Sequence, residues 1–156
     1  MKLEEVISDI KNCLGLVNKP WVIEFDESSD DYLYKCSIIG GSGTPIWGSV
    51  FYFTIQLDSS NINHLPTVTF APGLNHPLID SSNGIFHQQQ DTCLNAYNTS
   101  MEKYLDTIYS LLILDIPLSN PFNSDIYQSY QNNPSKFWML LRHQSNIVHE
   151  NSINID

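Results

Sequence analysis

The sequence predicts an α+β fold that begins with a helix, continues through a four-stranded antiparallel meander and a long irregular segment, and ends in helices. Three observations lead to this prediction. Apolar residues near the N-terminus recur at spacings of three and four, four short runs of aromatic and β-branched residues follow, and helical spacing returns from residue 104.

The first helix is predicted from a single apolar stripe. The stripe consists of Leu3, Val6, Ile7, Ile10 and Leu14. This spacing places the side chains on one face of a helix. The helix is expected to end near Gly15, and Pro20 prevents it from continuing.

The four strands are predicted from short runs rich in aromatic and β-branched residues. These runs are Trp21–Phe25, Tyr32–Ile39, Val50–Leu57 and Thr67–Phe70. Residues typical of turns separate them, at positions 26–31, 40–45 and 58–66. In the third run, Phe51, Phe53, Ile55 and Leu57 alternate with polar residues and Tyr52. Alternation of this kind indicates antiparallel strands with one face buried and one face wet.

The segment from Leu74 to Ser100 shows no sustained period and is dense in Asn, Asp, Gly, Ser and Gln. An irregular segment of this length within one domain is uncommon and often contains a functional site. We therefore expect the site of this protein to lie here.

A central core helix is predicted after this segment, and Pro117 ends it. Its apolar residues are Tyr104, Leu105, Ile108, Leu111, Leu112 and Leu114. Two short helices are predicted next, one around residues 125–130 and one that Asn133 caps, with Pro134 in the first turn. The second short helix contains Phe137, Trp138, Leu140 and Leu141.

The 156 residues suit one domain, which we place at residues 1–148 and follow with a polar tail at 149–156. Seven basic against 17 acidic side chains give a formal net charge of −10. This charge argues against a nucleic-acid partner and favours a basic protein neighbour. No apolar run approaches the roughly 20 residues of a membrane span.

The acidic N-terminus does not resemble a cleavable presequence, so a cytoplasmic location is the expectation. Attachment to an organelle complex, such as a mitochondrial one, or to the cytoskeleton is also compatible with the sequence.

Three cysteines, Cys13, Cys36 and Cys93, form neither an even set nor a C-x-x-C pair. We expect reduced, mostly buried thiols. His64, His76 and His87 match no standard ligand spacing, so we expect no metal and no cofactor.

Four short motifs, in order along the chain, resemble those of the ubiquitin-conjugating enzyme family. They are G-G-S-G-T-P-I-W-G-S at 40–49, L-P-T-V-T-F at 65–70, His76-Pro77 with Gly84, and N-P-F-N at 120–123. They are similar to that family's G-x-x-x-T-P-Y-x-G-G turn, its P-x-V-x-F strand, its H-P-N-I and G-x-I-C motifs, and its N-P-L-N turn. The resemblance runs from the first helix to about Leu141 and implies the ubiquitin-conjugating enzyme-like (UBC) fold.

The family's reaction requires a cysteine thiolate and a polar group that stabilises the oxyanion. The third position after Gly84 is His87, and the neighbouring register gives Phe86. Leu78 stands where the family has the asparagine of H-P-N. The resemblance therefore implies a degenerate, non-catalytic site made of His76, Leu78, Gly84, Phe86 and His87, in which His76 ties the loop to backbone carbonyls.

Three functions follow from the resemblance. Inactive members of the fold act by binding, and His76-Pro77-Leu78-Ile79-Asp80 is most similar to the H-P-L-V-D stretch of the AKT-interacting (fused toes) group of adaptors. A structural or adaptor subunit of a multiprotein complex is thus the main expectation. The alternative is a variant that binds ubiquitin and partners an active conjugating enzyme. A third reading is an active enzyme that uses Cys93, although the nearest basic side chains in sequence are His87 and Lys103.

Contacts with ubiquitin ligases are less strongly implied. Residues 98–101 are N-T-S-M where the family's ligase-contacting loop has S-P-A. Tyr97 occupies the position of the tryptophan that the family usually has just before this loop. Tyrosine can fill much of the same apolar space.

Overall fold

Four antiparallel strands form a single sheet in the order β1-β2-β3-β4. The computed structural model describes residues 3–24 and 31–153, with side chains described through residue 148. The strands are β1 (Trp21–Glu24), β2 (Leu33–Ile39), β3 (Val50–Gln56) and β4 (Thr67–Phe70). The predicted meander is confirmed, with every described strand end within one residue of its predicted position. Phe25, the predicted end of β1, lies outside the described residues.

Five helices are found in the described part of the chain, one before the sheet and four after it. They are α1 (Leu3–Cys13), α2 (Gln90–Thr99), α3 (Met101–Leu112), α4 (Ser124–Asn132) and α5 (Pro134–Ile153). The UBC-type arrangement predicted from the sequence is therefore confirmed. None of these helices is both long enough and apolar enough to cross a membrane.

Three helical predictions need correction. Helix α3 ends at Leu112 and does not continue to Pro117, so Leu114, which has a φ of +56°, lies beyond it. The end of the predicted irregular segment is helical, because α2 occupies residues 90–99. The last helix is not short, since α5 runs for 20 residues and passes the predicted domain boundary at residue 148. The division into a domain and a tail stays a prediction.

Helix α2 was missed because its polar residues conceal a short buried face. Cys93, Ala96 and Tyr97 are its buried residues. Their spacing of three and one is that of a single helical face. This three-residue pattern was the available signal, and the surrounding Asn, Asp and Gln made the segment look like a loop.

The core lies between the inner face of the sheet and α3. Alternate strand residues such as Ile38, Phe51 and Phe70 are at most 2% exposed, and Tyr104 and Ile108 of α3 are fully buried. The outer face of the sheet is open in part, because Val22 and Tyr52 keep 45% and 44% of their surface exposed. Antiparallel sheets commonly combine one packed face with one open face.

The segment after Pro77 returns to the sheet and runs beside β4. The Phe70 amide donates to the Gly84 carbonyl at 2.8 Å, and the Phe86 amide donates to the Val68 carbonyl at 2.8 Å. Gly84 has a φ of +80°, and a Cβ at this position would overlap the carbonyl oxygen of Phe70. Glycine is therefore required both for the backbone conformation and for the close approach.

Replacing Gly84 by alanine should destabilise the protein by about 2 kcal/mol or more, because the left-handed backbone and the overlap are both costly. Gly41→Ala is the matched control, since a Cβ there would meet no atom within 4 Å. The control should stay within about 0.5 kcal/mol of the natural protein. The free energy of unfolding in urea measures both variants, and equal stability of the two would contradict this account.

Candidate functional site

The candidate site is built around a fully buried histidine. His76 is 0% exposed, and its Nε2 lies 2.9 Å from the Leu112 carbonyl oxygen at the end of α3. The Leu78 amide donates to His76 Nδ1 at 3.0 Å. Because an amide can only donate and a carbonyl can only accept, the proton must be on Nε2 and the ring must be neutral.

The surroundings of His76 favour this neutral form. Burial lowers the pKa of His76 from its ordinary value of 6.5 to about 4, against the opposing effect of backbone carbonyls at the end of α3. The imidazole therefore holds the H-P-L loop in place and does not act as a proton carrier near neutral pH.

The same loop contacts two other parts of the chain. The Asn123 amide donates to the Pro77 carbonyl at 2.9 Å, and the His87 amide donates to the Leu78 carbonyl at 2.6 Å. The side chain of Leu78 is fully buried. It is apolar, so it offers no hydrogen bond to a reacting group in the groove.

The structure separates the two residues that the sequence left as alternatives. Phe86 is 3% exposed, and its ring centroid lies 5.7 Å from that of Phe70 in an edge-on contact. His87 is only half-buried. Phe86 is thus a core residue, while His87 reaches the surface.

His87 is covered in part by an aromatic ring. Its imidazole stacks on Phe122 with centroids 3.7 Å apart and an interplanar angle of 4°. The turn that holds Phe122 is tied down nearby, because Gln89 Nε2 donates to the Asn120 carbonyl at 3.3 Å. The sequence did not reveal this stack, since it depends on how the turn after α3 lies over residue 87.

A groove of about 560 Å³ opens beside His87, between the β3–β4 loop and α2. Leu65, Pro66 and Leu94 supply apolar lining, and Asp58 pairs with His64 at 2.9 Å on the loop side. Hydrogen bonds from Ser60 and His64 hold the pKa of Asp58 well below its ordinary value. The described lining residues include no lysine or arginine, because they all lie between Lys35 and Lys103, where the sequence has neither.

None of the three cysteines is among the described residues that line this groove, and all three are buried. Burial raises the pKa of Cys93 from 9.0 to about 11 and that of Cys36 to about 12. The pKa of Cys13 is raised to about 11 by burial and by nearby carboxylates, Asp9 foremost. Burial with a raised pKa is the reverse of what a nucleophilic thiol needs.

Tyr97 and Gln88 complete the inner wall of the site. The Tyr97 hydroxyl donates to the Ile62 carbonyl at 2.9 Å, which holds α2 against the β3–β4 loop. Gln88 accepts from the buried Tyr104 hydroxyl at 2.6 Å and donates to the Pro66 carbonyl at 2.8 Å. Sequence reasoning named Tyr97 but overlooked Gln88, whose partners are 16 and 22 residues away along the chain.

No group of three His, Cys, Asp or Glu side chains within the described ranges is arranged to hold a metal ion. The predicted absence of a metal and a cofactor stays an expectation. The groove beside His87 offers imidazole and amide side chains next to apolar surface.

Comparison with solved structures shows the fold class. The chain is similar to the crystal structure of a Plasmodium yoelii protein assigned as a ubiquitin-conjugating enzyme, with 22% identity and a TM-score of 0.67. The match covers 93% of this chain and 91% of the other. At this identity the likeness establishes the fold alone.

A family model gives the more specific result. The model for ubiquitin-conjugating enzymes matches residues 9–144, which is most of the chain. The protein therefore belongs to the ubiquitin-conjugating enzyme family.

The protein should lose stability in mild acid because of His76. A group whose pKa is lower in the folded state than in the unfolded state binds more protons when unfolded, so its contribution is complete above pH 6.5 and is lost as pH falls towards 4. Between pH 7 and pH 5 this loss should be about 2 kcal/mol. His76→Gln should be less stable at pH 7 but should lack that part of the acid dependence.

Urea unfolding of both proteins at several pH values tests this expectation. The carboxylates are common to both, so only the difference between the two pH curves reports on His76. Parallel curves would show that the pKa of His76 is the same in the folded and unfolded states, which would contradict this account.

Proposed function

We propose that this chain is a non-catalytic member of its family that acts as a structural or adaptor subunit of a larger protein complex. The observation that carries the proposal is the half-buried His87 at the groove, where the family's sequence pattern has a thiol. Family membership alone does not decide between activity and inactivity, so the proposal depends on the contacts around this position.

Three features make transthiolation unfavourable here. The sulfur nucleophile is replaced by an imidazole, and acyl-imidazoles hydrolyse readily. That imidazole is stacked flat against Phe122. Leu78, at the position of the family's asparagine, cannot donate a hydrogen bond to an oxyanion.

Cys93 does not make up for the missing thiol. It is 0% exposed on the inner face of α2. Burial raises its pKa to about 11, which keeps the thiol protonated near neutral pH. An enzyme that used Cys93 would have to move α2 away from the core before each reaction.

The adaptor role is supported by exposed aromatic and apolar surface. Tyr97 and Trp138 are buried, whereas Trp47 is 62% exposed. Trp47 lies in the turn between β2 and β3, far in sequence from the groove. Exposed tryptophans are frequent anchors of protein interfaces.

The outer face of the sheet favours a second candidate function. In this function the chain binds ubiquitin and partners an active conjugating enzyme. Val22 and Tyr52 lie in one cross-strand row on either side of Ser37, and Ile39 is nearby on the same face. Val22, Ile39 and Tyr52 are 45%, 48% and 44% exposed. An open apolar patch of this kind can receive another protein.

The native protein should form no covalent adduct when incubated with ubiquitin, an activating enzyme and ATP. No described thiol is accessible, so gels run without reductant should match gels run with it. An active conjugating enzyme charged in parallel shows that the reagents work.

Two variants identify the source of any adduct. A reducible adduct that disappears in Cys93→Ala would overturn the proposal in favour of an enzyme. An adduct that resists reductant, is cleaved by hydroxylamine and disappears in His87→Ala would overturn it in favour of an imidazole carrier.

If the chain binds ubiquitin through the sheet, titration into isotope-labelled ubiquitin should shift a contiguous set of ubiquitin resonances. Tyr52→Asp should reduce these shifts at least about tenfold, since it places a charge in the apolar patch. His87→Ala, in the groove, is the matched control and should leave them unchanged. Unshifted resonances at millimolar concentration would remove this second function.

A further inference from the structure

A second groove lies between α4 and α5, and its described lining shares no residue with the groove beside His87. Its volume is about 420 Å³, within the usual range of ligand pockets. Ile126, Phe137 and Leu140 form its apolar floor, and the polar rim includes Asn75, Lys136 and Gln144. We name this surface the α4–α5 groove.

The floor of the α4–α5 groove is fixed by packing beneath it. Phe137 is 7% exposed and makes edge-on contacts with Tyr130 and Trp138, at centroid distances of 5.3 and 4.9 Å. At the rim, the Asn75 amide donates to Gln144 Oε1 at 2.9 Å. The groove is therefore preformed, so little ordering is needed when a ligand enters.

The apolar surface continues along α5 beyond the end of the groove. Leu140, Gln144 and Ile147 follow one another at spacings of four and three, which places them on one face of the helix. Leu140 is 45% exposed and Ile147 is 42% exposed. Helix α4 has only nine residues against the 20 of α5, so it does not accompany α5 along its length.

The charge of α5 is opposite to that of the chain as a whole. From Pro134 to Val148, α5 contains Lys136 and Arg142 but no carboxylate, whereas the complete chain has a net charge of −10. Among the described residues, Lys136 is the only charged one that lines the groove, and no described carboxylate pairs with it. A ligand with apolar side chains and a negative charge complements this surface, while a basic ligand does not.

We propose that the α4–α5 groove binds a short acidic segment of a partner protein, whose apolar side chains rest on Phe137 and Leu140 and whose carboxylate pairs with Lys136. The proposal deepens the adaptor role, because it names the surface that holds the partner. The groove proposal can nevertheless fail independently of the non-catalytic proposal. The thioester assay tests the groove beside His87 and the cysteines, whereas the peptide titration tests the α4–α5 groove.

A titration of the isotope-labelled full chain with two matched peptides tests the proposal. The acidic probe is Ac-Leu-Glu-Glu-Leu-Leu-NH2 and the basic probe is Ac-Leu-Lys-Lys-Leu-Leu-NH2. The acidic peptide should shift the backbone resonances of Asn75, Leu140 and Gln144 and bind at least about tenfold more tightly than the basic one.

Variants on one helix separate the groove from the rest of α5. Leu140→Asp and Lys136→Glu should each weaken binding of the acidic peptide at least about tenfold. Met139→Asp is the matched control, because Met139 is 55% exposed on the same helix but does not line the groove. It adds the same charge as Leu140→Asp and should leave binding within about twofold.

Three results of the peptide titrations would overturn the proposal, and self-association would be a fourth. They are equal binding of the two peptides, shifts located away from the α4–α5 groove, and equal weakening by Met139→Asp and Leu140→Asp. Concentration-dependent shifts of the groove without peptide, with dimers in sedimentation, would assign the groove to a second copy of the chain instead. An adduct in the thioester assay would overturn the non-catalytic proposal and leave these results unaffected.

Discussion

The contact between His76 and the end of α3 is the constraint on which the site depends. The last carbonyls of a helix have no partner within the helix, and the Leu112 carbonyl obtains one from the imidazole. The other ring nitrogen receives the Leu78 amide, so one buried side chain connects the H-P-L loop to the core helix. Breaking either bond would leave a buried polar group unsatisfied, at a cost of about 1–3 kcal/mol.

Several features of the site follow from this anchor. Once the loop is fixed, the Leu78 carbonyl accepts from the His87 amide, and the Pro77 carbonyl accepts from the amide of Asn123, the cap of α4. The loop thereby aligns the segment beside β4 and the turn after α3, which brings Phe122 over His87. The geometry around residue 87 is thus set by backbone hydrogen bonds that do not require a catalytic side chain. Such a scaffold can persist when the reactive residues are replaced.

The fold could be predicted from the sequence because its signals are local and mutually consistent. Alternation in β3, the stripe of α1 and the Asn133 cap before Pro134 each act within a few residues. The structure follows them except at Leu14, which lies beyond α1 and is 39% exposed. Helix α2 lacked a strong signal, since only Cys93, Ala96 and Tyr97 mark its buried face. The site was predictable in part. His76 and Gly84 indicate backbone constraints that can be recognised in the sequence. The choice between Phe86 and His87 depends on contacts between distant parts of the chain, and so does the stack of His87 on Phe122.

The run of 67 residues from Cys36 to Glu102 without lysine or arginine has a further consequence. An activated acyl group needs an amine to receive it, and no side chain in this run supplies one. The groove beside His87 is lined entirely by residues from this run. If an enzyme that carries an activated acyl group approached this face, the lining residues would offer no amine to accept that acyl group. A protein that bound at this groove would therefore meet no lysine side chain among the described lining residues.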